Sequence, residues 1–303
     1  MLTRDCNTFL DVARGLAPDF GPPVARAAFL VAPEGFALAA QSARDNRYMA
    51  DAAAFDASRA LAEHRGLQRA LSEVLPTVCF PGDPDTPDAV FPNNVFATVA
   101  GRYIVGRMRH EVRQREAARA DIRGFLGGVL DYVEVDLSGQ PHPCELTGAL
   151  VVDRARGLGF CGLSERCDEA GARLMHEAFG LRATLMFDLA PGEYHANVLL
   201  AVLAGRAALL CPAGFAEPGM VDAIAALYAP HAIMLSAEEQ AAFAGNAIAL
   251  PDDTVWMSHA AAAALSPGNR QALASAGFVL RTVPLAAIEA AGGSLRCCVA
   301  EVF

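Results

Sequence analysis

The stretch VLLAVLAGRAALLCPAGFAEPGMVDAIAALYAPHAIML (198–235) contains the unit that decides the fold. An apolar run, Val198–Leu203, turns at a glycine into a second apolar run, Ala207–Cys211, a pattern typical of a β-hairpin. A helical pattern follows near Pro218–Tyr228, and a short apolar strand, Ala232–Leu235, comes after it. The predicted order is therefore strand, strand, helix, strand.

The same unit recurs along the chain with a spacing of about 50 residues. Its further hairpins are Val95–Ala100 with Tyr103–Val105, Ala149–Val152 with Leu158–Cys161, and Ala247–Leu250 with Val255–Met257. The helices that follow them are predicted near His110–Leu126, Ser164–Phe179 and Ala260–Ala276, and the closing strands at Val133–Leu137, Ala183–Phe187 and Val279–Val283. An extra helix is predicted after Ser236, where Glu239 completes a capping box.

The two ends of the chain supply a fifth unit. Ala28–Ala32 is a predicted strand followed by a helix near Ala57–Leu75 and a strand at Thr77–Phe80, while Cys297–Val302 is a final strand with no helix after it. Pairing the last strand with the first closes a ring and leaves no strand edge open. We therefore expect an α/β fold, a five-unit ββαβ propeller with pseudo-fivefold symmetry, as a single domain over residues 1–303.

Composition excludes several classes of function. The chain of 303 residues is 53% apolar with a net charge of −10, which fits a folded protein and disfavours nucleic acid or an anionic membrane as partner. All 24 basic residues are arginine, so chemistry that depends on lysine is excluded. No apolar run approaches the ~20 residues of a membrane span, and no secretory signal is visible. The eight cysteines contain no Cys-x-x-Cys pair, so we expect reduced thiols in the cytoplasm.

Five polar residues occupy the same position in successive units, just before or at the first strand. They are Asn94, Glu145, His195, Asn246 and Cys297, and the intervals between them are 51, 50, 51 and 51 residues. Equivalent positions of a radial fold converge on its axis, so these side chains should face one central cavity. Packing alone would fill such positions with apolar residues. The repeat therefore predicts a functional site.

A thiol, an imidazole and a carboxylate together are typical of nucleophilic catalysis. A cysteine attacks as thiolate and needs a nearby cation or base, which His195 can supply. Glu145 can orient the imidazole, keep it charged, or bind N–H groups of a substrate. We expect no cofactor, and no metal site, because the His, Asp and Glu residues lack ligand spacing.

The segments FPNN (91–94), ELTG (145–148), EYHAN (193–197) and GGSLRC (292–297) resemble motifs of the pentein superfamily, the guanidino-group-modifying enzymes. The longer segments TPDAVFPNN (86–94), FAGNAIAL (243–250) and GGSLRCCVAEVF (292–303) look most like its amidinotransferase-like branch, which includes citrulline-utilisation hydrolases. The resemblance implies that Cys297 is the nucleophile, His195 the general acid and base, and Glu145 the family carboxylate.

Departures from the superfamily pattern bear on the substrate. Arginine deiminases have aspartates where Asn94 and Asn197 stand here, and two carboxylates suit a guanidinium, which only donates hydrogen bonds. Carboxamides both donate and accept, so the sequence favours a neutral ureido substrate such as citrulline. Asp88 would restore one carboxylate if the loop 87–92 folds inward; its other role would be turn formation beside proline. Asn93 and Asn246 are further candidates for substrate contact.

An amino-acid substrate also needs a partner for its own carboxylate. Arg107 and Arg109 precede the predicted helix at 110–126, where a loop could reach the mouth of the cavity, and either could form a bidentate contact. The other arginines of this region are expected on the solvent face of the helix or in ion pairs with Glu111, Glu116 and Asp121.

The favoured function is hydrolysis of citrulline to ornithine, ammonia and carbon dioxide through a covalent adduct on Cys297. Arginine deimination, hydrolysis of another guanidino compound and amidino transfer use the same residues and stay open. A different class, a non-catalytic propeller that binds a partner, is represented in the superfamily by a ribosome-subunit anti-association factor. The expected partner is a small amino-acid substrate, and a homodimer is left open because many superfamily members are dimers.

Overall fold

In a computed structural model that describes residues 1–49 and 55–303, the strands form five small sheets of common topology. In each sheet the two strands of a hairpin-like pair are antiparallel, and the second of them is parallel to the third. The sheets are Ala300–Val302, Ala27–Val31 and Thr77–Phe80; Phe96–Val99, Arg102–Val105 and Val133–Asp136; Leu150–Asp153, Leu158–Leu163 and Ala183–Asp188; Leu200–Leu203, Ala207–Leu210 and Ala232–Met234; and Ile248–Leu250, Thr254–Ser258 and Val279–Val283.

The two ends of the chain meet in one of these sheets. Ala300 pairs with Phe29 and Val302 with Ala27 in an antiparallel ladder. The N-terminal strand Leu2–Thr3, which the sequence pattern did not indicate, adds a fourth strand parallel to Ala183–Asp188. A two-residue strand carries too little periodicity to be read from sequence.

Helices connect the second and third strands of each sheet. The α-helices are Cys6–Arg14, Ala57–Ser72, Glu111–Gln114, Ala120–Arg123, Leu146–Ala149, Glu169–Phe179, Pro218–Tyr228, Ala237–Ala241, His259–Ala264, Pro267–Ser275, Ala286–Glu289 and Leu295–Cys298. The structure also has 3₁₀ turns at Ser42–Arg44, Pro92–Asn94, Arg115–Ala118, Ala196–Val198 and Pro212–Gly214. The helix predicted after Ser236 has its capping box, because Ser236 and Glu239 each bond the other's backbone N–H.

The helix predicted at His110–Leu126 is broken in the structure. Arg119 has a ψ of 97°, which is incompatible with continuation of a helix, and glycines at 124, 127 and 128 weaken the remainder. Four short helical segments replace it, namely Glu111–Gln114, Arg115–Ala118, Ala120–Arg123 and the π-helix Gly124–Val129. In the first of these segments the side chain of Arg113 is buried.

Three other predicted elements differ at their ends. The helix predicted from Ser164 begins at Glu169, because Asp168 caps it through the N–H of Gly171. The helix predicted at Ala260–Ala276 is divided near Pro267, which lacks the N–H that a continuous helix requires. Cys297, predicted in a strand, lies instead in the helical turn Leu295–Cys298, and the strand begins at Ala300.

Short helical turns of this kind precede four of the first strands and contain, or begin directly after, four of the five polar residues of the repeat; Asn246 lies in no such turn. Asn94 ends the turn Pro92–Asn94, Glu145 and His195 flank the starts of two others, and Cys297 lies within the fourth. Side chains in a helical turn do not alternate between two faces as they do in an extended strand. The turns therefore position the polar groups while the strands that follow them are buried.

The apolar core lies between the sheets and the helices. Its largest cluster joins the strands Leu158–Leu163, Leu200–Leu203 and Thr254–Ser258 to the helices Cys6–Arg14 and Pro218–Tyr228. The polar residues of the helical turns are also almost wholly buried beside this core.

Candidate active site

One cavity brings together the residues expected to perform chemistry. Cys297, His195, Asn94 and Asp88 line it, and Glu145 lies behind His195. The remaining lining residues are Ser42, Asn46, Met49, Phe91, Arg113, Arg166, Tyr194, Ala291, Gly292 and Gly293.

His195 is held by the carboxylate of Glu145. The distance from His195 Nε2 to Glu145 Oε2 is 2.8 Å, and both side chains are buried. A carboxylate only accepts hydrogen bonds, so Nε2 carries the proton and the neutral ring keeps a lone pair on Nδ1. Within the described residues Nδ1 has no partner. Burial lowers the pKa of His195 despite the opposing effect of Glu145, and the neutral ring can therefore accept a proton at Nδ1.

Glu145 is fixed in its ionised form. Its carboxylate accepts the backbone N–H of Arg109 at 3.0 Å and Nη1 of Arg166 at 3.3 Å, in addition to the bond from His195. Burial alone would raise the pKa of Glu145, but the charge of Arg166 and the bond from His195 outweigh it and hold that pKa well below its usual range. Arg166 itself is anchored by Asp45, with Nη2 to Oδ1 at 2.5 Å.

The thiol of Cys297 is surrounded by amide donors. Asn246 Nδ2 lies 3.3 Å from Sγ and Asn197 Nδ2 lies 3.8 Å from it, while the Cys297 side chain is buried. Burial raises the pKa of Cys297, and the two carboxamides and the charge of Arg296 lower it in part. N–H donors stabilise a thiolate once it forms. A base or a cationic substrate is then required to generate it.

Asp88 lies inside the cavity, so the loop 87–92 is folded inward. The side chain is buried, and Ser42 Oγ donates to its Oδ2 at 2.5 Å. Burial raises the pKa of Asp88, against the effects of Arg113, Ser42 and Arg166. The cavity therefore has an acceptor group that can be charged.

The carboxamides differ in where they point. Asn94 lines the cavity, and its Oδ1 has no partner among the described residues. Asn197 donates to the carbonyl oxygen of Thr147 at 3.0 Å, and Asn246 donates to that of Asn197 at 2.9 Å, so both stand behind the thiol rather than in the cavity. Asn93 is also outside it and contacts Thr147. Of the four asparagines expected to contact substrate, only Asn94 lines the cavity.

Arg107 and Arg109 do not reach the cavity. The guanidinium of Arg107 donates to the carbonyl oxygen of Ser138 at 2.8 Å, and that of Arg109 is half exposed beside Glu165. Arg109 contributes only its backbone N–H, which binds Glu145. The expectation that one of these side chains reaches the cavity is therefore wrong, because neither residue lines it.

Two other arginines line the cavity instead. Arg113, expected either on the solvent face of a long helix or in an ion pair, is paired with Glu116 at 2.8 Å as the second alternative predicted, but the pair is buried. Arg166 lies in a loop directly before Cys167, and nothing in the sequence around it singled it out. The Arg113–Glu116 spacing of three residues was a signal of pairing, but nothing local indicated that the pair is buried.

The described residues offer no group of three or more His, Cys, Asp or Glu side chains that could hold a metal ion. All eight cysteines are free thiols. Among the helices of the described ranges, none is both long and apolar enough to cross a bilayer.

A fold of several small ββαβ sheets around a buried Cys, His and Glu defines the pentein superfamily of guanidino-modifying hydrolases, as the sequence motifs indicated. Residues 32–303 match the family model for N,N dimethylarginine dimethylhydrolase, eukaryotic, and the chain belongs to that family. No reviewed protein sequence matches the chain significantly.

Solved structures with the same fold are distant in sequence. The N-terminal domain of ArgZ, an arginine dihydrolase from the ornithine-ammonia cycle in cyanobacteria, is 20% identical with a TM-score of 0.79, over 91% of this chain and 97% of that one. AgrE in complex with ornithine and NAD⁺ is 21% identical, with a TM-score of 0.79, over 91% of this chain but 39% of that one. A dimethylarginine dimethylaminohydrolase adduct with S-methyl-L-thiocitrulline is 19% identical, with a TM-score of 0.69, over 92% and 100%. The chain thus spans well under half of full-length AgrE.

Proposed function

We propose that the protein is a cofactor-free cysteine hydrolase that cleaves a C–N bond of a guanidino compound. The observation that carries this proposal is the joint lining of one buried cavity by Cys297, His195 and Asp88, with Glu145 bound to the imidazole. Membership of the dimethylarginine dimethylhydrolase family supports the same class of reaction. The proposed catalytic residues are Cys297, His195 and Glu145.

In the proposed reaction, His195 takes the proton of the Cys297 thiol and the thiolate attacks the central carbon of the guanidino group. The carbon becomes tetrahedral, and its collapse breaks one C–N bond as the imidazolium protonates the departing amine. Water, deprotonated by His195, then attacks the carbon of the thioester-like adduct. Collapse breaks the C–S bond and releases a ureido product, and the imidazolium returns its proton to the thiolate, which restores the Cys297 thiol and the neutral His195. Glu145 keeps Nε2 protonated, so that Nδ1 is the atom that moves the proton.

Asp88 is the reason for placing guanidino compounds ahead of citrulline here. A guanidinium presents only donors, and Asp88 and Asn94 Oδ1 are acceptors that line the same cavity. The preference for a ureido group rested on carboxamides at Asn94 and Asn197, and only the first of these lines the cavity. Arginine and N,N-dimethylarginine are therefore the first substrates to test.

Citrulline hydrolysis to ornithine, ammonia and carbon dioxide remains a second candidate. The carboxamide of Asn94 can donate to a ureido carbonyl as well as accept from its NH₂ group. Burial raises the pKa of Asp88, and a protonated Asp88 would also donate to that carbonyl. ArgZ, which has the same fold, is an arginine dihydrolase. A second hydrolysis after the first is therefore compatible with this fold.

Arg113 and Arg166 are the proposed partners of the α-carboxylate of an amino-acid substrate. Both residues line the cavity, and arginine suits planar carboxylates. They replace Arg107 and Arg109 in this role.

The test is a product assay on purified protein with arginine, N,N-dimethylarginine and citrulline. Citrulline formed with ammonia or dimethylamine supports guanidino hydrolysis, and ornithine with ammonia supports hydrolysis of citrulline. Ornithine together with an amidinated product, formed only when a second amine is added, would instead indicate amidino transfer. Absence of every product in all three reactions would contradict the proposal and favour the binding-module alternative.

Further features of the protein belong to the same proposal. We propose that the five sheets form a propeller with pseudo-fivefold symmetry in one domain over residues 1–303, which is supported by their common topology and by the pairing of Ala300–Val302 with Ala27–Val31. A cytoplasmic location is a prediction from the eight free thiols. A homodimer is a prediction of the superfamily resemblance alone.

A further inference from the structure

A second cavity is lined in part by residues of the first strands of four sheets. Within the described chain the two cavities share no lining residue. Asn197, whose Nδ2 reaches the thiol of Cys297, lines only the second cavity. Arg154 and Arg296 also line it, together with Glu301. The catalytic chemistry proposed above uses none of its charged residues.

Arg154 is a buried cation without a carboxylate partner. It is 8% exposed, and across the described ranges it forms no ion pair. Its one hydrogen bond there runs from Nη1 to the carbonyl oxygen of Thr98, at 2.9 Å. Burial lowers the pKa of Arg154 to about 10, although Glu301 opposes this. A buried guanidinium without a counterion is strongly unfavourable.

Three other arginines show the contrast. Arg296 pairs with Glu301 at 2.8 Å, so these two charges cancel and the cavity keeps the charge of Arg154 alone. Arg166 and Arg113, on the active-site side, each have a carboxylate partner. Arg154 is thus the one cation of these four that lacks an anion.

The orientation of Arg154 leaves the edge of its guanidinium free. The Cζ atom of Arg154 lies 4.0 Å from the ring centroid of Phe303 and 5.4 Å from that of Phe179. These are cation–π contacts, and they provide no oxygen or nitrogen acceptor for the N–H groups. Nε and Nη2 have no protein acceptor within the described residues. Parallel N–H groups of this kind match the two oxygens of a carboxylate.

We propose that this second cavity binds a small monocarboxylate anion, whose oxygens accept from Arg154. One negative charge balances the single uncompensated positive charge, and the planar carboxylate fits the fork of the guanidinium. Thr147 and Asn197 supply polar surface on the wall that separates the anion from Cys297. The site is separate from the substrate cavity, and it takes a free anion rather than the α-carboxylate of the substrate.

The experiment is calorimetric titration of the full chain with sodium acetate at constant ionic strength, with no other carboxylate in the buffer. We expect saturable binding to the wild type. Arg154→Met should weaken it by about tenfold or more, because the charged donor is lost. Arg206→Met, which removes a half-exposed arginine beside Asp253, is the matched control and should bind acetate as the wild type does.

Two results would overturn the proposal: no acetate binding to the wild type, or equal binding to the wild type and Arg154→Met. If circular dichroism shows that Arg154→Met is unfolded, Val202→Phe decides, because Val202 lines the cavity and the larger ring would fill it. Lost binding in folded Val202→Phe supports the site, and retained affinity contradicts it.

Discussion

Gly148→Ala should impair catalysis without unfolding the protein, because its new methyl group would occupy space beside the catalytic imidazole. A Cβ at this position would lie 2.6 Å from Asn94 Oδ1, 2.7 Å from His195 Cε1 and 2.8 Å from His195 Nδ1. Gly148 does not have a positive φ, so the backbone itself accepts alanine. The strain falls on the two cavity side chains.

The size of the effect follows from these distances. Ordinary contacts begin at about 3.4 Å, so the His195 ring and the Asn94 carboxamide would each have to move by about 0.7 Å. Such a movement would lengthen or bend the hydrogen bond between His195 and Glu145, which is 2.8 Å long. A displacement of about 1 Å in a catalytic group can cost about 10²-fold in rate. We expect kcat/KM to fall by roughly that factor.

The assay is steady-state kinetics on whichever of arginine, N,N-dimethylarginine and citrulline the wild type hydrolyses, together with thermal unfolding. Gly66→Ala is the matched control, because Gly66 lies in the helix Ala57–Ser72 and a Cβ there meets no atom within 4 Å. It should leave kcat/KM unchanged and raise stability by about 0.5–1 kcal/mol. Wild-type kinetics in folded Gly148→Ala would refute the claim that His195 works from its position against Gly148.

Three further predictions concern single side chains. Glu145→Gln should lower kcat by about 10²- to 10⁴-fold and shift the acidic limb of the pH–rate profile to lower pH, because the hydrogen bond and charge that raise the pKa of His195 are weakened or lost; an unchanged profile would contradict the pairing. Asp88→Asn should lower kcat/KM for a guanidino substrate by about 10- to 100-fold and affect citrulline less, as the loss of one charged hydrogen bond requires; equal losses in competition assays would count against the cation-binding role. His64→Leu should remove part of the acid sensitivity of folding. Burial lowers the pKa of His64 to about 4, so the free energy of unfolding of the wild type falls by up to about 3 kcal/mol between pH 6.5 and pH 4. Denaturant unfolding of the wild type and the variant across that range measures the difference. A wild-type slope in the variant would show that another group is responsible.

The strand pairs were readable from sequence because each combines two apolar runs with a turn signal. The hairpin at Leu200–Leu203 and Ala207–Leu210 and the helix Pro218–Tyr228 lie within a residue or two of their predicted ends. Glycine and proline punctuate these segments strongly, so local information suffices.

Breaks inside helical patterns were not readable in the same way. The segment 110–126 has helical periodicity, but Arg119 adopts a non-helical ψ and its guanidinium bonds the carbonyl oxygen of Pro81. That contact spans 38 residues and is a tertiary effect that local propensity does not contain. The same holds for Cys297, which a strand pattern included but which the backbone places in a helical turn.

Of the five polar residues that the repeat singled out, Asn94, His195 and Cys297 line one cavity, but the repeat did not indicate which way each side chain points. Asn94 and Asn197 each lie in a 3₁₀ turn that precedes a first strand, yet one lines the substrate cavity and the other lines the second cavity. Arg113 and Arg166 reach the active-site cavity from outside the repeat register, through loop and helix packing. Sequence spacing therefore gives the position along each unit, and the tertiary structure determines the orientation.

The central claim is that Cys297 is the attacking nucleophile, and the most direct test is the turnover of Cys297→Ala on the substrate that the wild type hydrolyses. Cys298→Ala is the matched control, since the neighbouring thiol is also fully buried and lies in the same helical turn. We expect no detectable product from Cys297→Ala and retained turnover in Cys298→Ala. Product formed by folded Cys297→Ala at a rate close to that of the wild type would contradict it.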